Sequence, residues 1–85
     1  MMVRYDPDVD ALYVMLADAP VEYTDDVSLG QFYERGIDYA SDGSVRGYEF
    51  LNVSRGVNLD GLPHQDALME LFERVRGIPV LSGTG

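Results

Sequence analysis

Tyr5-Asp-Pro-Asp-Val-Asp-Ala-Leu-Tyr-Val-Met-Leu16 reads as strand, acidic turn, strand, and the rest of the chain is organised outward from it. Ala11 to Leu16 is an unbroken apolar run of strand length, rich in residues that suit a pleated surface, so both of its faces are expected to be covered. Ahead of it, Pro7 fixes φ and offers no N–H, while the carboxylates of Asp6, Asp8 and Asp10 can accept bonds from nearby backbone amides. Met2 to Tyr5 is then the first arm of an antiparallel hairpin whose second arm is Ala11 to Leu16.

Beyond the hairpin, Ala17-Asp-Ala-Pro20 breaks the pattern and Val21 to Ser28 resumes it. Val21, Tyr23 and Val27 alternate there with Glu22, Thr24, Asp26 and Ser28, which marks a strand with one wet face. Asp25 falls on the apolar side, so a bulge or a weakening of the strand is expected at that point. Leu29-Gly-Gln31 is a turn, and Phe32 to Tyr39 alternates again. Asp42-Gly43 between that run and Val45 to Val53 is a strong hairpin signal, because Gly accepts the positive φ that the turn requires. Plain alternation would set Val45 on the opposite face from Tyr48 and Phe50. One extra residue near Gly47 removes the conflict and predicts a bulge there.

After a loop over 54–62, anchored by Val57 and Leu59, the only helical segment runs from Pro63 to Arg76. Pro63 suits the first turn, Asp66 lies near the positive end of the dipole, and Arg74 and Arg76 lie near the negative end. Leu68, Leu71, Phe72 and Val75 form an apolar stripe at helical spacing, and Gly77 is placed to end the helix. Ile78 to Leu81 is expected along a sheet edge, with the last residues fraying. The fold class that follows is α+β, a five-stranded mainly antiparallel sheet with one C-terminal helix packed on a face. It is one domain over residues 1–85, with the sheet at about 2–53, the helix at about 63–76 and a tail over 77–85.

Composition bounds what such a domain can do. At 85 residues the chain buries roughly 60% of its unfolded surface, which leaves no room for a second domain. Its hydrophobic share of 46% is that of a chain that folds. Zero cysteines rule out disulfides and thiolate metal sites, and the start Met1-Met-Val-Arg-Tyr-Asp6 is neither a signal peptide nor a membrane span. The expectation is a soluble cytoplasmic protein that does not enter membranes. Fifteen acidic residues against six basic ones, all arginine, give a net charge of −9. Direct binding of nucleic acid needs a basic stripe, and these arginines are scattered among carboxylates, so it is disfavoured. The same field would speed encounter with a basic protein.

Tyr5-Asp6, Asp10-Ala-Leu-Tyr-Val14, Glu22-Tyr-Thr-Asp-Asp-Val27, Gly36-Ile-Asp-Tyr39, Asp42-Gly43 and Val45-Arg-Gly-Tyr-Glu-Phe50 occur in an order that resembles a known family, the small bacterial proteins of domain of unknown function 2283. The resemblance covers about residues 3 to 55. It implies a compact antiparallel sheet domain without an assigned activity, some members of which look like the antitoxin partner of a small toxin. The chain departs from the short form of that pattern by Phe32-Tyr-Glu-Arg35 before Gly36 and by the helix after Pro63.

No motif identifies a reaction. Asp6, Asp8 and Asp10 have the alternate spacing that opens a calcium loop, but Ala11 stands where such a loop needs Gly and Ala17 where it needs a carboxylate. Their expected role is turn capping. His64 is the only histidine and sits at the expected helix start, where a surface or capping role outweighs a catalytic one. Ser28, Ser41, Ser44 and Ser54 lack a nucleophile elbow, and Gly56 and Gly61 do not form a phosphate loop in a chain without lysine. No catalytic, cofactor-binding or metal-ligating residue is therefore assigned, and no cofactor is expected. Tyr5, Tyr13, Tyr23, Tyr33, Tyr39 and Tyr48 all fall on expected strands, where they pack across the sheet or face a partner. A single helix covers only one sheet face, so the other is expected to meet a second copy or another protein. The function expected is protein interaction, antitoxin-like toward a small basic toxin, by a chain that also forms a homodimer. The alternative is a divalent-metal or hydrolytic site built from Asp6, Asp8, Asp10, Asp25, Asp26 and Asp38.

Overall fold

A computed structural model describes residues 2–30, 33–74 and, for the backbone alone, 80–81. The chain divides into two compact units, Met1–Asn52 and Val53–Gly85. The first holds strands β1 (Met2–Asp6), β2 (Ala11–Met15), β3 (Tyr23–Asp26), β4 (Arg35–Tyr39) and β5 (Val45–Leu51). All its pairings are antiparallel and the strand order is β1-β2-β5-β4-β3, which leaves β1 and β3 at the edges. With the helix of the second unit, the architecture is the expected α+β class.

The register sorts the residues of this sheet onto two faces. Leu12 pairs with Phe50 and Val14 with Tyr48, and these in turn pair with Arg35 and Ile37 of β4. All four apolar residues of the β2 and β5 pairs are buried, as is Ile37. Tyr13 and Met15 point the other way and are half-buried, so the run Ala11–Met15 alternates rather than being covered evenly. The second face also carries Met2 and Arg4 from β1, Gly47 and Glu49 from β5, Gly36 and Asp38 from β4, and Thr24 and Asp26 from β3.

Local turn chemistry closes both hairpins. In the first, Asp6 Oδ1 accepts the Asp8 N–H at 3.0 Å. Asp10 adopts φ 53° and accepts the Tyr5 hydroxyl at 3.1 Å. In the second, Gly43 has φ 85° and donates to the Ala40 carbonyl, while Asp42 Oδ1 accepts the Ser44 N–H at 2.9 Å. The bulge expected near Gly47 is present. Asp38 pairs with Gly47 but Tyr39 pairs with Val45, so Arg46 is the extra residue. No bulge occurs at Asp25, which pairs in register with Ile37; β3 is four exposed residues long, and Val21, Glu22, Val27 and Ser28 lie outside it. Its brevity follows from having nothing apolar to bury.

In the second unit a 3-10 turn at Val53–Arg55 leads to β6 (Val57–Asn58), which pairs in parallel with β7 (Val80–Leu81). The segment expected as plain loop thus contains a strand. Helix α1 spans Gln65–Glu73, shorter than the expected 63–76. His64 takes the N-cap position at φ 60°, a conformation that cannot belong to the helix, and its side chain makes no capping bond. Pro63 accordingly precedes the first turn instead of entering it. At the other end Arg74 is the C-cap, donating its N–H to the Leu71 and Phe72 carbonyls. Leu68 and Phe72 of the apolar stripe are buried with Val53, Val57, Leu59 and Leu62, and Leu71 is half-buried. The expectations for Phe32, for Val75 to Gly77 and for the tail lie outside the described residues, save for the pairing of Val80–Leu81.

Candidate functional site

A polar arrangement that joins four strands stands on the second face of the sheet. Tyr13 leaves β2, crosses β5 above Gly47, and donates its hydroxyl to Asp38 Oδ2 on β4 at 2.7 Å. Gly47 is what permits the crossing. A Cβ there would run into the Tyr13 hydroxyl and lie 2.6 Å from the Val14 carbonyl oxygen and 2.7 Å from Tyr13 Cζ. On β3, Thr24 pairs with Asp38 across the strands and donates to its Oδ1 at 2.5 Å. Both oxygens of Asp38 are thereby engaged.

Arg46 enters this arrangement through the bulge. Arg46 has no partner on β4, although its carbonyl accepts the Leu16 and Ala17 N–H groups, and its side chain turns onto the face, where Nη1 donates to the Tyr13 hydroxyl at 2.8 Å. Its Nε donates to the Ala19 carbonyl at 2.9 Å, and its guanidinium carbon lies 5.3 Å from the Tyr13 ring centroid. Bonds of this kind with a charged donor are stronger than neutral ones, so Thr24, Asp38, Tyr13 and Arg46 form a fixed chain across four strands or their connections. Burial pushes the Tyr13 phenol up; the Arg46 bond opposes this and Asp38 reinforces it. The hydroxyl therefore stays protonated and donates to Asp38. The Tyr13 bond raises Arg46 still further, which keeps its charge. Chemically the chain is a positioning device that holds a guanidinium and an aromatic ring at the wall of a groove.

That groove has a volume of about 300 Å³ and is lined by Met2, Arg4, Tyr13, Met15, Asp38 and Arg46. Two thioethers and a ring supply its apolar part, and both Arg4 and Arg46 border it. A second, smaller cleft of about 160 Å³ lies on the same face, with Asp26, Glu34 and Glu49 in its lining and Gly36 in the gap between β3 and β5. Hydrogen bonds from Ser28, the side chain first and the backbone second, hold the Asp26 carboxyl below the usual range. Arg35 also lines this cleft, where carboxylates outnumber cations three to one.

The six carboxylates considered for a metal site are not brought together. Asp6 and Ala11 share a cross-strand row with Leu51, whereas Asp38 is in the row of Gly47, Met15 and Met2. Those rows are four residues apart, roughly 13 Å along the strands. Asp25 and Asp26 are successive on β3 and point to opposite faces. Among the described residues no group of three or more His, Asp or Glu side chains is placed to hold a metal ion. His64 is exposed at the start of α1, and Ser28 and Ser44 serve the Asx turns of Asp26 and Asp42.

Sequence reasoning named Tyr13 and Asp38 separately and did not link them, nor did it assign Arg46 a role. The residues are 25 and 33 positions apart from Tyr13, and only the β2–β5–β4 register joins them. The one available signal was the bulge at Gly47, which implies both a freed neighbour and a close approach from above. Residues 2–54 match the family model described as protein of unknown function (DUF2283). No curated protein and no solved structure matches the chain.

Proposed function

From a chain that belongs to a family of proteins of unknown function, domain of unknown function 2283, we propose a protein-interaction module that binds a basic protein partner through the acidic surface of its sheet unit. The observation that carries this reading is where the charge lies. Eleven of the 15 acidic residues, but only three of the six arginines, fall within residues 1–52. Of those three, Arg35 is buried with Nε on the Val27 carbonyl, and Arg46 is held by Tyr13 and Ala19. Arg4 remains as the exposed cation of the unit among its described residues.

The carboxylates, by contrast, face water. Glu22, Asp25, Asp26, Glu34, Asp42 and Glu49 are all exposed, and three of them border the cleft beside β3. A surface of one sign raises the rate of encounter with the opposite sign and sets which partners are rejected. An antitoxin-like role toward a small basic toxin is the specific form of this reading, in the cytoplasmic setting that suits a chain without cysteine. Among the described residues no helix is long and apolar enough to cross a membrane.

The test is titration of the chain with the product of the adjacent gene at two salt concentrations, alongside the triple variant Asp26→Asn, Glu34→Gln, Glu49→Gln. The dissociation constant is expected to rise at least tenfold, about 1.4 kcal/mol, both in the variant and on going from low to moderate salt. An adjacent product with no excess of basic residues, or binding indifferent to both perturbations, would sink the proposal.

A further inference from the structure

We infer that β1 is the seam of a homodimer in which the β1 edges of two copies pair antiparallel about a twofold axis at Tyr5, setting Arg4 of each copy opposite Asp6 of the other. This goes beyond the basic-partner reading and uses a different edge of the sheet.

The two edges of the sheet differ in how they are defended. β3 is short and wholly exposed, carries Asp25 and Asp26, and follows Glu22, so two copies meeting there would set carboxylates against carboxylates. That is how natural sheets block unwanted pairing. β1 has none of these devices. It is five residues long, has no proline or bulge within it, keeps a regular register from Met2 opposite Met15 to Asp6 opposite Ala11, and exposes Met2 and Tyr5. Among the described residues no strand pairs with its outer side. An open edge of this length presents a row of backbone donors and acceptors to any strand that can align with it.

Charge selects the occupant and the register. Residues opposite one another across an antiparallel pair share a face, so Arg4 can meet Arg4, Met2 or Asp6 of a second copy. The first choice sets like charges together at the axis, and the second sets Arg4 against Met2 and forms no ion pair; the second and third each keep three residues of β1 in the pairing, so charge decides between them. The third makes two Arg4 to Asp6 ion pairs and brings the two Tyr5 residues together. Both partners are available for it. Among the described residues the Arg4 guanidinium has no hydrogen bond or ion pair of its own. Asp6 uses one oxygen for the Asp8 N–H and has the other open. Arg4 and Asp6 also share the face of the groove, so Asp6 of the second copy would adjoin the open flank that Met2 and Arg4 form.

Charge exchange followed by sedimentation equilibrium at physiological salt tests this, with far-UV circular dichroism confirming that each variant folds. The parent is expected to dimerise. Arg4→Glu alone and Asp6→Arg alone each set two like pairs in the seam, so each should associate at least tenfold more weakly than the parent. An equimolar mixture restores both opposite pairs and should recover the parent's association as a heterodimer. A parent that sediments as a 9.4 kDa monomer at every concentration overturns the proposal, as does a single variant that dimerises like the parent or a mixture that does not recover. Because the chain has no cysteine, Tyr5→Cys gives an independent readout: it should form a disulfide-linked dimer on oxidation. Crosslinking by Arg4→Cys with none by Tyr5→Cys would overturn the register.

Discussion

Gly47→Ala should destabilise the protein by about 2 to 4 kcal/mol, although the change adds one methyl group. Gly47 has no positive φ, so backbone strain is not the cause; the obstacle is space. The new Cβ would meet the Tyr13 ring and hydroxyl on one side and lie 2.6 Å from the Val14 carbonyl oxygen on the other. The Tyr13 side chain could swing away. The Val14 carbonyl belongs to the backbone of β2, directly paired with β5 through Val14 and Tyr48, and can move only with the ladder. Forcing an extra methyl into a filled space costs about 1 to 3 kcal/mol, and displacing Tyr13 forfeits its bonds to Asp38 and Arg46 for about 1 kcal/mol more. In a chain of this size that corresponds to a fall in melting temperature of roughly 10 to 20 °C. Urea unfolding followed by far-UV circular dichroism measures it. The same substitution in a Tyr13→Ala background should cost less, since the ring is gone and only the carbonyl remains. A Gly47→Ala protein within about 0.5 kcal/mol of the parent, or a cost unchanged in the Tyr13→Ala background, would refute the role given to the crossing.

Burial pushes the Tyr48 phenol up to about 12, against 10 in an unfolded chain. The unfolded state therefore loses its proton first as pH rises, and stability should fall by about 2 to 3 kcal/mol between pH 10 and 12; Tyr48→Phe should flatten that fall in alkaline melts. Phe72→Ala empties a buried position on α1 and should cost about 3 kcal/mol, so a variant that melts within a degree or two of the parent would remove the helix from the apolar core of its unit. Asp10→Ala loses the Tyr5 hydroxyl bond and places a Cβ without side-chain polar groups at φ 53°, for about 1 kcal/mol, part of which Asp10→Gly should recover. Millimolar calcium or manganese should leave the parent's melting temperature unchanged, and a rise that Asp10→Ala abolishes would restore the metal reading of the acidic turn. Hydrogen bonds from Ser44 depress the Asp42 carboxyl, so the stability they bring is present above the unfolded carboxylate range and lost as pH falls through the folded value; Ser44→Ala should lessen the loss seen between about pH 5 and pH 3.

What could be read in the sequence was whatever neighbouring residues decide. Asp42-Gly43 and Asp6-Pro7-Asp8 specify their turns through side chains that bond to amides two residues on, and both hairpins stand as expected. The clash of phase between Val45 and Tyr48 located the bulge. The helix starts later than its sequence implies for an equally local reason, since Pro63 is compatible with a first turn and nothing nearby announces the left-handed conformation of His64. β3 is shorter than the alternation of polar and apolar residues implies, because Val21 and Tyr23 stay exposed and the alternation marks no buried face.

Strand order lay beyond the sequence because it rests on a pairing between Ala11 and Leu51 that no short-range signal encodes. Yet that pairing decides how the second face works. It brings Gly47 beneath Tyr13 and, through β4, Asp38 within reach of the hydroxyl, while the bulge turns Arg46 toward both. Two of the sheet unit's three arginines border one groove together with Asp38, while Glu22, Asp25, Asp26, Glu34, Asp42 and Glu49 are left exposed. The same partition explains why the two proposed interactions do not compete. Attraction of a basic partner is a property of the whole anionic surface and weakens with salt, whereas the seam at β1 depends on the placement of Arg4 and Asp6 against a repulsion of −9 on each copy, which salt screens. Raising salt should therefore release the first and spare or strengthen the second, and a single sedimentation series on the chain with and without its basic partner separates them.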